Sequence, residues 1–188
     1  DPVEEFIIVA CLFSAEGPSD SFTYLTAYNT SETAVPVSDN SGYYIRIRTL
    51  DSGGNYSGYT APLYFIANRE NDIPTVPAPA ALGNLEISPL RLLAWSASSD
   101  SDISDSITYE VWVSEDASST FPLASVAGLS DTGIYLEQMS GIEQLIDNGV
   151  YYWRVRASDA SGESSSFSQA DPFIYNYLND APASPSGT

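Results

Sequence analysis

Tyr43-Tyr44-Ile45-Arg46-Ile47-Arg48-Thr49-Leu50-Asp51 is written again 108 residues later as Tyr151-Tyr152-Trp153-Arg154-Val155-Arg156-Ala157-Ser158-Asp159. Held at that offset without gaps, the 35 positions from Tyr43 to Pro77 contain 14 identities, several times what chance supplies. They include Gly54/Gly162, Ser57/Ser165, Phe65/Phe173, Asn71-Asp72/Asn179-Asp180, Pro74/Pro182 and Pro77/Pro185. Two copies of one module are present.

The repeated stretch alternates large apolar with polar side chains, the period of two of a half-buried strand. Tyr151, Trp153, Val155 and Ala157 are therefore expected to face a core, with Tyr152, Arg154 and Arg156 outward. Tyr109-Glu110-Val111-Trp112-Val113 and Leu92-Leu93-Ala94-Trp95 follow the same rule, and turn-rich stretches such as Ser98–Asp102, Asp147-Asn148-Gly149 and Asp159–Gly162 separate the runs. No segment keeps a helical period, and Gly141 to Ile146 has room for one helical turn at most. Short strands at this spacing predict antiparallel β-sandwiches.

Pro74-Thr75-Val76-Pro77-Ala78-Pro79 is a stiff joint between the copies, and Pro182–Pro185 repeats it. The expected organisation is a partial module over 1–73, a complete one over 74–180, and 181–188 as a linker or the first strand of a further repeat or of a neighbouring subunit. The first copy shows nothing comparable to the strands expected around Leu85 and Trp95. The chain thus reads as a window cut from a longer array; the rival reading has a neighbouring subunit complete the first module. The run Phe6–Phe13 is apolar throughout, as in a strand buried on both faces, or one inserted into or covered by another chain. Cys11, the single cysteine, sits in that run and reads as a buried, inert thiol.

Composition removes whole classes of chemistry. The chain has 188 residues, 43% of them hydrophobic, with 25 Asp+Glu against 6 Lys+Arg and a formal net charge of −19. All six cations are arginine. Nucleic acid and anionic lipid both call for dense basic patches, so neither is an expected partner, and no apolar run is long enough for membrane insertion. Without His or Lys there is no Ser-His-Asp or Cys-His nucleophile, no His-ligated metal, no Schiff base and no P-loop lysine. Excess acid, abundant Ser and Thr and the absence of Lys suit an extracellular or cell-surface protein; no signal peptide is visible, so any export signal is expected outside these residues.

Residues 74–180 resemble a fibronectin type III domain of the kind found in secreted and surface proteins of prokaryotes. The carriers are Leu93–Asp102, like the second strand and its acidic loop, Ile107–Val113, like the third strand, and Leu145–Ala157, like the sixth. Tyr151 falls where that family places its tyrosine corner, and Phe167 within Ser164–Ser168 falls where a Trp is frequent. From about Phe6 to Ile66 only the later half of the family's pattern is present. The resemblance implies an all-β fold of tandem immunoglobulin-like (fibronectin type III) antiparallel sandwiches, the first lacking its opening strands. It leaves function open.

Three groups of residues are candidates for chemistry. Asp100, Asp102 and Asp105 form a dense carboxylate cluster able to supply part of a calcium shell, though without the glycine and terminal glutamate of an EF-hand loop; a solvated polar loop is the plain alternative. Outward-facing Trp112, Tyr152, Arg154 and Arg156, together with Tyr175 or Tyr177, share one sheet face if the third, sixth and seventh strands adjoin. Such a face serves either as a glycan platform or as an Arg–aromatic stack that stiffens the sheet. Asn29-Thr30-Ser31 and Asn55-Tyr56-Ser57 match the N-glycosylation triplet. The many acids include no pair in a recognisable glycosidase context.

The expectation is therefore a non-catalytic, extracellular structural or adhesive module, with neighbouring repeats or identical subunits as partners and surface glycans as a further class. Assembly by β-strand complementation fits the unfinished first module. The alternative is a spacer or weak glycan-binding accessory module of a secreted polysaccharide-degrading enzyme. Apart from calcium at the aspartate loop, no cofactor is expected.

Overall fold

Alternating aromatic and β-branched residues build strands in a computed structural model of the chain, and among the described residues the strands pair antiparallel. The structure describes residues 5–12, 22–27, 37–51, 53–82, 91–102, 105–178 and 181, with backbone alone for 5–12 and 22–27. Among these residues the only helical pieces are two short 3-10 turns, Leu136–Gln138 and Ile142–Gln144, and no helix is long and apolar enough to cross a membrane. The chain divides into two compact units, Asp1–Asn71 and Asp72–Thr188.

The first unit holds β1 (Glu5–Leu12), β2 (Phe22–Ala27), β3 (Ser41–Leu50) and β4 (Leu63–Ala67), in one sheet of order β2-β1-β3-β4. The apolar run is thus a central strand, paired with β2 on one side and β3 on the other. The burial expected for the Cys11 side chain, and Asn29 with its triplet, lie outside what is described.

In the second unit, β6 (Thr108–Ser114), β7 (Ala124–Leu129), β9 (Gly149–Ser158) and β10 (Asp171–Tyr175) form a sheet of order β10-β9-β6-β7. Two short strands, β5 (Leu92–Ala94) and β8 (Gly133–Tyr135), form a separate pair. The core contains Leu93 and Ile134 from the smaller sheet, and Val111, Trp153, Val155 and Phe173 from the larger. Burial follows the alternation: Tyr151, Trp153, Val155 and Ala157 are buried, while the residues between them are half-buried.

The sequence repeat is also a repeat of hydrogen bonds. The Tyr43 hydroxyl accepts the Ser38 N–H at 2.6 Å, and that of Tyr151 accepts the Ile146 N–H at 2.9 Å. Asp39 Oδ1 accepts the N–H groups of Arg69 and Glu70; Asp147 Oδ1 accepts those of Tyr177 and Leu178. Thr60 and Ser168 hydroxyls each accept the N–H of the strand residue thirteen positions earlier, Ile47 and Val155, both at 3.1 Å. Asn40 and Asn148 take the left-handed conformation at φ 51° and 59°, which asparagine tolerates and glycine shares. Each pair is separated by the same 108 residues, so equivalent side chains make equivalent bonds in both copies.

Candidate functional site

The outer face of the second unit's larger sheet is built by cross-strand neighbours. Trp112 on β6 lies opposite Arg154 on β9, Glu110 opposite Arg156, and Ser114 opposite Tyr152, so period-two alternation places all of them on one face. Phe167, from the segment after β9, completes it. The Trp112 and Phe167 ring centroids are 4.6 Å apart. The Arg154 guanidinium lies 5.0 Å from the Trp112 centroid and 4.8 Å from that of Phe167, and the Arg156 guanidinium lies 4.8 Å from Phe167.

Polar groups lock this stack. Arg156 pairs with Glu110 at 2.6 Å, and the Trp112 indole N–H donates to the other Glu110 oxygen at 2.7 Å. Arg154 donates to the Ser119 carbonyl. A partly exposed ion pair alone contributes little, but rings, guanidiniums and carboxylate together hold one another in a single arrangement. The first unit carries the counterpart. Arg46 lies 4.2 Å from the Tyr59 ring centroid, and Arg48 lies 4.7 Å from Tyr59 and 3.8 Å from Tyr56. Tyr59 and Phe167 are themselves 108 residues apart, so an Arg–aromatic stack accompanies the repeat. Only hindsight finds Tyr59 and Phe167 as partners, since the sequence offers an aromatic at matching positions and nothing about what it touches.

Of the two tyrosines expected as alternatives for this face, Tyr175 does not join it. It pairs with Gly149 while Phe173 pairs with Tyr151, so it shares the inward parity of Phe173 and is buried. Burial and the nearby Glu137 carboxylate push its phenol above the usual tyrosine range, with Arg91 acting in the opposite direction. Tyr177 lies beyond the strand end, half-exposed, its ring 5.2 Å from that of Tyr175. Tyr152 is on the outer face and half-buried.

The aspartate loop between β5 and β6 is reorganised relative to its sequence spacing. Asp100 and Asp105 come together with Asp159, from the turn after β9, one carboxylate oxygen of each lying within 4.8 Å of the others. Asp102 instead accepts the Asp72 N–H at 2.7 Å through Oδ2. Asp159 is nearly buried, and its Oδ1 accepts the N–H groups of Gly162 and Glu163. Its contribution was invisible in the sequence because 54 residues separate it from Asp105.

Asn55 is exposed, in a turn that Asp51 closes by accepting the Gly53 and Asn55 N–H groups. These bonds, those from Asn55 foremost, hold the Asp51 carboxyl below its ordinary range. The Asn55 side-chain amide donates to the same carboxylate, and the Ser57 hydroxyl of the triplet accepts the Thr49 N–H.

No protein-family model matches this chain, and no curated protein matches it in sequence. Among solved structures it is similar to one described as the crystal structure of chicken CNTN1 FN1-FN3 domains, at 14% identity and a TM-score of 0.34. That similarity covers 92% of this chain and 54% of the other, so the chain spans about half the length of that structure.

Proposed function

We propose that this chain is a non-catalytic structural or adhesive module of tandem fibronectin type III-like β-sandwiches, working outside the cell with repeats of its own kind as partners. The observation that supports this reading is the repeated scaffold. In both copies the tyrosines close turns, the aspartates clamp loops and the strand arginines stack on rings, so the distinctive side chains are invested in cohesion. An all-β antiparallel framework with this investment suits load-bearing or display, and high negative charge suits solubility in salt water. Assembly of copies through strand exchange belongs to the same proposal.

Two measurements on the full chain test it. In affinity electrophoresis through soluble polysaccharides, wild type and Trp112→Ala are expected to migrate without retardation, while Trp112→Ala melts at lower temperature. Retention of the wild type that Trp112→Ala abolishes would overturn the reading in favour of a glycan-binding accessory module. In light scattering during size-exclusion chromatography, concentration-dependent self-association is expected; a compact monomer at every concentration removes assembly between subunits.

A further inference from the structure

The second unit gathers negative charge where its own positive charge does not reach. Carboxylate oxygens of Asp100, Asp105 and Asp159 lie within 4.8 Å of one another, and Asp159 is only 6% exposed. Crowded acids alone mean little, because solvated aspartates cluster often. The second observation lies in the same loop: Asp100 Oδ2 and Asp102 Oδ1 are sealed from solvent and have no hydrogen-bond donor, and Asp102 is 7% exposed. In each case the companion oxygen is already used, Asp100 Oδ1 by the Asp102 N–H and Asp102 Oδ2 by the Asp72 N–H.

A dry carboxylate oxygen without a donor carries its full desolvation penalty unless a cation meets it. The three arginines of this unit are committed elsewhere: Arg156 to Glu110, Arg154 to the Ser119 carbonyl and Arg91 to the Asn176 carbonyl. Calcium–oxygen bonds of about 2.3–2.6 Å place oxygens on opposite sides of one ion up to roughly 5 Å apart, whereas magnesium, at about 2.1 Å, draws them to roughly 4 Å. Separations within 4.8 Å fit inside calcium's span, and three carboxylates converging on one site suit calcium rather than magnesium, which usually binds through one or two carboxylates and keeps several waters.

We propose that Asp100, Asp105 and Asp159 bind one calcium ion, with water completing the shell and the ion's charge offsetting the sealed, donor-less oxygens of Asp100 and Asp102. Asp159 is fixed in advance by its bonds to Gly162 and Glu163, so the ion ties the β5–β6 loop to the turn after β9. In the first unit the corresponding residue, Asp51, is exposed. One ion per chain is therefore expected. The proposal is independent of the functional reading above, which stands or falls on glycan retention and assembly.

The test is calorimetric titration of the calcium-stripped full chain with calcium chloride, beside thermal melting with calcium or with magnesium. The expected result is one saturable site with a dissociation constant of about 10⁻⁴–10⁻³ M, typical of extracellular modules, and a melting temperature raised by calcium more than by magnesium. Asp105→Asn should weaken calcium binding by about tenfold or more. Its melting temperature in chelator should match or exceed wild type, which shows that the variant folds. Glu143→Gln, a distant exposed change, should bind as wild type does. No saturable heat, equal responses to calcium and magnesium, or undiminished binding by Asp105→Asn would each overturn the site.

Discussion

The Tyr151 hydroxyl accepts the backbone N–H of Ile146 at 2.9 Å, five residues back along the chain. A nearly buried ring thus satisfies a donor in the turn that feeds its own strand, and Tyr43 does the same for Ser38 in the first unit. Tyr151→Phe keeps the ring and strands the donor. Denaturant titration should show a loss of about 1–3 kcal/mol, and Tyr43→Phe should cost a similar amount in the first unit. An unchanged midpoint in both would show that water replaces the hydroxyl.

Leu93 joins the two-stranded sheet to the core beneath the larger one and is fully buried. Leu93→Ala removes apolar contact and leaves a cavity, at an expected cost of about 2–5 kcal/mol by chemical denaturation. A loss below that range would mean that the two sheets of the second unit do not share one packed interior.

Gly141 adopts φ 90°, and a Cβ built there would stand 2.1 Å from the Leu123 carbonyl oxygen. Both the backbone conformation and the close approach require glycine. Gly141→Ala should therefore destabilise the second unit by more than the roughly 1–3 kcal/mol of the conformational strain alone, read as a lowered melting temperature. Gly162→Ala, with nothing within 4 Å of the added atom, should cost less.

Asp39 clamps the first unit through the N–H groups of Arg69 and Glu70, and these bonds, Arg69 first, lower its carboxyl pKa from the ordinary 3.8. A carboxyl with a lowered folded pKa stabilises fully above its unfolded value, and that stability is lost as pH falls through the folded value. The stability difference between wild type and Asp39→Asn should accordingly shrink below about pH 4, measured by paired melts from pH 7 to pH 2. A pH-independent difference would show that the clamp acts through its geometry alone.

The duplication, the antiparallel β character and the inward set Tyr151, Trp153, Val155 and Ala157 were all legible in the chain. The closing role of Tyr151 was too, by resemblance. Asp39-Asn40 recurs as Asp147-Asn148, but the clamping role of the two aspartates was not legible, because the N–H groups each one meets lie 30 residues away along the chain. Between Tyr175 and Tyr177 residue order could not choose, because the register of Tyr175 against Gly149 is what decides parity at the strand end and turns Tyr175 inward.

Alternation along one strand is a local property of the backbone, so residue order suffices to say which side chains leave together on one side. Proximity between loops depends instead on which strands become neighbours. The order β10-β9-β6-β7 sets β6 against β9, and with it Trp112 against Arg154 and the Asp105 loop beside the turn that carries Asp159. The sequence alone determined a repeated β module with a rule for its core; only the pairing of distant strands decided which arginine meets which ring and which three aspartates meet one another.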